Sequence, residues 1–447
     1  MDERLLERRL LARAGFGPRP DEPETLRREG ARAWLARELA HTEPRDPELE
    51  QRLGSFPSLR ASSWDDLLGV ELPPRMGAGG GGRVDPELRK EISRRSREIT
   101  HEVVGARVVR AVHGRFGLRE AMLDFWSNHF SVFARKGFVG ALLPHYQREV
   151  LEPHALGRFE DLLLAVARSP AMLVYLDNWN STAPRSGRRR RFRGPGRGGI
   201  NENYARELLE LHTLGVDAGY SQADVIEVAR VFTGWSLASR SNPVFRFHDA
   251  LHDTGRKRVM GEPVAGHGVE EGEGLLRRLA RHPSTARHVC RKLATRFVAD
   301  APPAGLVARA QQRFLESEGD LRQVLSEILL SPELADPEQR KLKTPFRFAV
   351  SALRASGGSS DGRPATLLAL GRLGELPYFA RTPAGFPEQA QYWVDPGAML
   401  ERMAFAFALA RGAVPGSRAG SARLSDHAGA DPEPLALCLA SPEFQWA

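Results

Sequence analysis

Two histidines in this chain occupy positions where a leucine would be expected. In NENYARELLELHTLG (201–215), a step of 100° per residue puts Asn203, Arg206, Glu207 and Glu210 on one polar arc. Ala205, Leu208, Leu209 and His212 fall on the other side. In DFWSNHF (124–130), the same construction places His129 on a face with Leu118, Met122, Phe125, Val132 and Phe133. A buried, neutral imidazole can ligate a divalent metal or take a proton. A single core histidine more often only bonds a backbone carbonyl, but two on separate apolar faces favour a polar pocket. A third stretch, FHDALHDTG (247–255), holds His248 and His252 four apart. That is metal spacing on a helix. On extended backbone the two do not chelate together, which leaves His252 and Asp253 as the better pair, with Asp253 also suited to a turn.

These residues suggest an enzyme. His129 and His212 as metal ligands, with Glu202 or Glu207 and the His252–Asp253 turn around one cleft, would activate water for hydrolysis. Arg206 would bind an anionic group of the substrate. Without a metal, the same carboxylates and imidazoles would serve as general acid and base. Helical geometry sets a constraint: Glu207 and His212 point to nearly opposite sides. Glu202 lies roughly 80° from His212 but two to three turns away.

The alternative is a binding or assembly protein. Residues 185–199, RSGRRRRFRGPGRGG, hold seven arginines and no acid, with Arg188, Arg189, Arg190 and Arg191 consecutive. Such a loop can dock an acidic polymer or partner. Its one aromatic, Phe192, is thin for base stacking, so nucleic acid is not the expected partner. Among cofactors only a divalent metal stays open. GAGGGG is not followed by Lys-Ser or Lys-Thr, so no nucleotide loop is present, and haem has no Cys-x-x-Cys-His.

The elements that must position these residues read as helices almost throughout. Periodicity and caps predict a mainly α protein, a multi-helix bundle or orthogonal array, with helices over 2–14, 85–116, 118–133, 202–214, 222–233, 284–299 and 345–356 among others. Asn201 caps one helix and Gly215 closes it, and Ser221 with Asp224 forms a capping box for the next. Residues 244–260 alternate apolar and polar around Thr-Gly, which predicts a small β-hairpin. An N-terminal helical segment (1–72), a Gly/Pro-rich connector (73–84), a main helical domain (85–411) and a mobile loop with a C-terminal helix (412–447) are expected to form one structural unit.

The chain of 447 residues carries a net charge of +8, but the basic loop accounts for most of it and the remainder is nearly neutral. Arginine outnumbers lysine 58 to 6, a bias that reports composition as much as chemistry. The two cysteines, Cys290 and Cys438, read as separate thiols. No stretch approaches the roughly 18 apolar residues of a membrane span, and the charged start MDERLLERRLLARAGFG does not read as a signal peptide, so a cytoplasmic location is expected.

RLLARAGFGP (9–18), WSNHF (126–130), EPHALGRFEDLL (152–163), NENYARELLELHTLGVDAGYSQADVIEVARVFTGW (201–235), HDTGRKRVMG (252–261), HPSTARHVCRKLATRFV (282–298), KTPFRFAVSALRA (343–355) and PAGFPEQAQYW (383–393) together resemble one family in order and over nearly the whole length. This is the bacterial domain-of-unknown-function 1800 family. The resemblance implies a single helical unit, no established reaction, and an alkaline-phosphatase-like (sulfatase-like) partner. It also implies export for many relatives, which this start does not match. By motif, it carries over to Trp126, Asn128, His129, Asn201, Glu202, Asn203, Arg206, Glu207, His212, Gly234, Trp235, His252 and Asp253. Of these, Trp126, Asn128, Asn201, Asn203 and Trp235 are expected to support the site.

Overall fold

Helix ends follow the side chains that can satisfy them. In a computed structural model of the chain, which describes residues 2–40, 46–61, 63–69, 86–183, 199–239, 243–420 and 432–447, Asp2 accepts from Leu5 N at 3.1 Å and opens the helix Glu3–Arg13. Ser221 and Asp224 form the capping box of Gln222–Val231. Proline at the first turn, where its missing N–H costs nothing, starts Pro283–Phe297, Pro345–Ala355 and Pro396–Ala410.

The architecture is mainly helical. The long helix Pro86–His113, whose buried residues run from Ile99 onward, is packed by Val139–His145, Pro345–Ala355 and Pro364–Gly371. A second layer is formed where Pro283–Phe297 packs on Ala304–Glu316 and Leu321–Leu329. One contiguous apolar core runs from Leu6 to Leu439 and includes residues from both layers. No helix among the described residues is long and apolar enough to cross a membrane.

The alternating stretch 244–260 contributes to two small antiparallel pairs instead of folding on itself. Phe245–Phe247 pairs with Trp235–Leu237, and Arg258–Val259 pairs with Glu262–Pro263. The physical reason is Arg230, which grips Asp253 through Nε (2.9 Å) and Nη2 (3.1 Å) and holds the Thr254-Gly255 bend against a helix. A third pair joins Ser359–Ser360 to Ser417–Arg418 within the late segment expected to be a loop. The connector 73–84, the basic loop from 185 to 198 with Arg188, Arg189, Arg190 and Arg191, and residues 421–431 lie outside the described residues. At the base of the basic stretch, Thr182 N donates to Gly199 O at 3.0 Å.

Candidate functional site

The helix that carries His212 changes pitch before it ends. Asn201 accepts from Tyr204 N (3.1 Å), and its amide donates to Leu176 O (2.7 Å), which fixes the first turn. The α-helix Glu202–Glu207 then widens into a π-helical turn, Leu208–His212. Such turns are frequent at functional sites. At the exit, Thr213 Oγ1 donates to Leu208 O (2.6 Å) and Gly215 N to Leu209 O (3.2 Å). The last carbonyls of a helix lack partners within it, and here two are taken by imidazoles. His129 Nε2 donates to His212 O at 3.2 Å, and His288 Nε2 donates to Leu211 O at 3.2 Å.

A carbonyl cannot donate, so both rings carry their hydrogen on Nε2 and a lone pair on Nδ1. His129 Nδ1 has no hydrogen-bond partner, and neither does His212 Nε2. The ring of His129 lies 6.3 Å from that of His212 and 6.1 Å from that of His288, centre to centre. Phe125 stacks on His129 at 5.9 Å, while the edges of Trp126 and Phe130 close its sides at 5.5 and 4.5 Å. Burial, followed by the nearby positive charge of Lys292, holds all three histidines neutral: His129 well below its ordinary value, His212 near 3 and His288 near 4.

His129 and His288 line a cleft of about 450 Å³, while His212 lies behind His129 and outside the lining. One wall is a polar face of Pro283–Phe297: Ser284, Arg287, His288, Arg291, Lys292 and Thr295. The opposite walls are the 214–218 loop and the 384–389 loop, with Asn128 and His129 between them. Asn128 clamps the second loop, donating from Nδ2 to Phe386 O (2.8 Å) and accepting from Phe386 N (2.7 Å). Gly385 permits this approach: it has φ +77°, and a Cβ there would come 2.5 Å from Asn128 Oδ1. Glu388 in the same loop accepts from Arg296 Nη1 at 3.1 Å, and Arg296 reaches on to Asp124 at 2.7 Å. Burial alone would raise the Glu388 pKa. Arg296, Lys341 and Arg347 together outweigh it and keep the carboxylate ionised.

Lys292 is the unusual member. Its side chain is partly exposed at the cleft, while dehydration of its ammonium brings the pKa down to about 8 against an opposing pull from Glu388. No hydrogen bond or ion pair reaches it among the described residues.

The remaining sequence candidates lie elsewhere. Glu202 accepts from Gln222 Nε2 (2.7 Å) and Arg206 donates to Gln222 Oε1 (2.9 Å), a surface link between neighbouring helices. Asn203 is exposed. Glu207 is partly buried, and burial, then Glu210, raises its pKa. None of these four residues lines the cleft. His252 and Asp253 belong to a second cluster. His252 Nδ1 donates to Thr233 O (2.9 Å), and its Nε2 lies 3.3 Å from Glu271, which also accepts from Lys257 (2.6 Å). Trp235 packs there so closely on Gly272 that a Cβ would come 2.4 Å from its ring. Trp126 donates from its indole to Ala155 O at 2.9 Å and walls His129. His129 and His212 thus meet through a ring-to-carbonyl bond. Among the described residues, no group of three or more His, Cys, Asp or Glu side chains is placed to hold a metal ion.

Sequence reasoning passed over His288, Lys292 and Glu388. The available signal was the pair His288 and Lys292, four apart in a helical pattern, with Lys292 one of only six lysines in an arginine-rich chain.

The family profile described as a protein of unknown function, DUF1800, matches residues 9–446. The chain belongs to the DUF1800 family. No curated protein and no solved structure matches it. In this DUF1800 member, WSNHF, NENYARELLELHTLG, HPSTARHVCRKLATRFV and PAGFPEQ, which lie far apart in sequence, all border the cleft or bond to its rings.

Proposed function

We propose that the cleft is the active site of an enzyme that binds an anionic substrate and performs general acid–base chemistry on it. The observation that carries this reading is the unpartnered Lys292 amine in a cleft also lined by His129, whose buried Nδ1 has no partner. A desolvated polar group without a partner costs free energy that a fold does not spend without return. Both residues line the space a ligand would enter. Lys292, with a pKa near 8, passes between ammonium and amine close to neutral pH. His129 stays an uncharged proton acceptor, and Arg287 and Arg291 give the rim a positive field suited to a carboxylate or phosphate.

Two measurements test this. Titration calorimetry with phosphate, sulfate and small carboxylates should show binding that weakens in Lys292→Met. Turnover of model anionic esters should follow a pH profile with an inflection near 8 that the same variant removes. Absence of both anion binding and turnover in the folded wild-type chain would reject the reading.

A second reading is non-enzymatic docking of an acidic polymer, or of the alkaline-phosphatase-like partner that the family resemblance implies, on the loop holding Arg188, Arg189, Arg190 and Arg191. The bond from Thr182 N to Gly199 O favours this, because a stretch whose two ends are joined at its base can engage a partner without disturbing the core. Retention on heparin that vanishes when residues 185–198 are deleted, with the cleft's anion binding intact, would support it.

A further inference from the structure

The described lysines divide into two kinds. Lys90 donates to Glu87 (2.7 Å), Lys136 to Asp177 (2.6 Å), Lys257 to Glu271 (2.6 Å), Lys341 to Asp300 (2.6 Å) and Lys343 to Ser351 (2.9 Å). Lys292 alone among them has no such partner, and it faces the cleft. A lysine placed to bind a carboxylate permanently would have one. A lysine whose amine must be free does not.

We infer that Lys292 is a covalent attachment site that forms an imine with a small carbonyl compound bearing a carboxylate, the 2-oxo acid class. This deepens the acid–base reading of the same cleft and rests on it. Three features of the geometry converge. The amine shares the cleft with neutral imidazoles, and His129 Nδ1 has no partner of its own. Arg287 and Arg291 stand on the same helix and line the same space, where their planar guanidinium groups suit a substrate carboxylate. Two acids line the cleft, Asp217 and Glu388; Glu388 is held by Arg296, and neither makes a hydrogen bond or ion pair with the amine. Desolvation next to other cationic groups is the setting in which a lysine becomes a nucleophile. The free-amine fraction at pH 7 is then roughly two orders of magnitude above that of an ordinary lysine.

The step balances without an oxidant or reductant. The Lys292 nitrogen lone pair forms a bond to the carbonyl carbon, and the C=O electron pair moves to oxygen. His129 Nδ1 takes a proton from the nitrogen and returns it to that oxygen. The second C–N bond forms as the C–O bond breaks, and oxygen leaves as water carrying both protons of the amine. The imine, once protonated, draws electrons from the adjacent carbon, so exchange of that carbon's protons is the activity it supports.

The test uses the full chain with pyruvate and cyanoborohydride, read by peptide mass spectrometry. A pyruvate adduct should appear on the Lys292 peptide at least about tenfold faster than on any other lysine. It should disappear in Lys292→Arg, which keeps the charge, and acetone should label the site far more slowly. Exchange of pyruvate methyl protons in heavy water, followed by NMR, should be lost in the same variant and slowed in His129→Asn. Adducts spread equally over Lys90 and Lys292, or acetone labelling as fast as pyruvate, would overturn the inference. Phosphate binding with no adduct would reject the covalent step and leave the anion-binding reading standing. Failure of both would reject the two together.

Discussion

The properties of His212 come from what its environment withholds. The side chain is buried, its Nε2 has no partner, and desolvation followed by the charge of Lys292 lowers its pKa to about 3. In the unfolded chain it titrates near 6.5. A group whose folded pKa is depressed contributes stability that is present above the unfolded value and lost as pH falls toward the folded one. Between pH 6.5 and about 3, His212 should therefore withdraw up to about 1.4 kcal/mol per pH unit. Denaturant melts of the wild type and His212→Asn, run as a pH series, should show the gap between them narrowing as the pH drops; a constant gap would mean the ring is solvated. The Lys292 pKa is lowered in the same sense, but pH 7 lies below its folded value of about 8, so its loss of stability is already in force. Its ammonium is held at a desolvation cost, so Lys292→Met should stabilise the fold at pH 7 by on the order of 1 kcal/mol, less than the full shift because the stem is partly solvated. A rise in Tm together with lost anion binding is the signature of a residue kept for chemistry.

Elements decide which residues can meet. The helical wheel was enough to place His212 on the inside, because burial depends only on angle. It could not supply a carboxylate partner: Glu202 sits at the opposite end of the same helix, and distance along the axis is fixed by the rise per residue. Nor does a wheel of constant pitch describe the turn Leu208–His212, whose π geometry presents Leu211 O and His212 O to the two imidazoles. His288 and Lys292 were obscured for a related reason. They lie on a flank of an amphipathic helix whose apolar face, with Val289, Cys290, Leu293 and Phe297, dominates the pattern. Asn128, singled out from sequence as supporting, bears the position of the 384–389 loop through its two bonds to Phe386. Asn128→Ala should cost about 1–3 kcal/mol, and hydrogen exchange should rise over residues 384–389 while the helix Pro283–Phe297 stays protected. Uniform deprotection would show that the clamp is not local.

Over the whole molecule, the arginine excess acquires a physical role that composition alone did not reveal. Arg347 donates to Arg296 O (3.3 Å) near the end of Pro283–Phe297 and to Arg13 O (3.1 Å) at the end of Glu3–Arg13. Arg354 reaches Ala111 O (3.2 Å) and Gly114 O (3.2 Å) at the end of Pro86–His113, as well as Gly17 O (2.7 Å). Arg13 in turn bonds Val298 O (2.6 Å). Each guanidinium satisfies carbonyls that a helix leaves open at its C-terminus, where the dipole favours a cation. The planar fork lets one side chain serve several chain segments. Hydropathy patterns predict which faces are buried, and hence the helical class. Long-range capping of this kind leaves no periodic trace, since its partners are backbone atoms 51 to 337 residues away. Replacing Arg347 with Met removes a buried charge, which is favourable, but strands carbonyls from two helix ends, which is not. The second effect should win by about 2–4 kcal/mol. Arg347→Lys should lose nearly as much, because one ammonium cannot span both helix ends. Denaturant melts of the two variants separate the possibilities: a lysine variant as stable as wild type would mean that charge alone, rather than the shape of the guanidinium, joins the two layers.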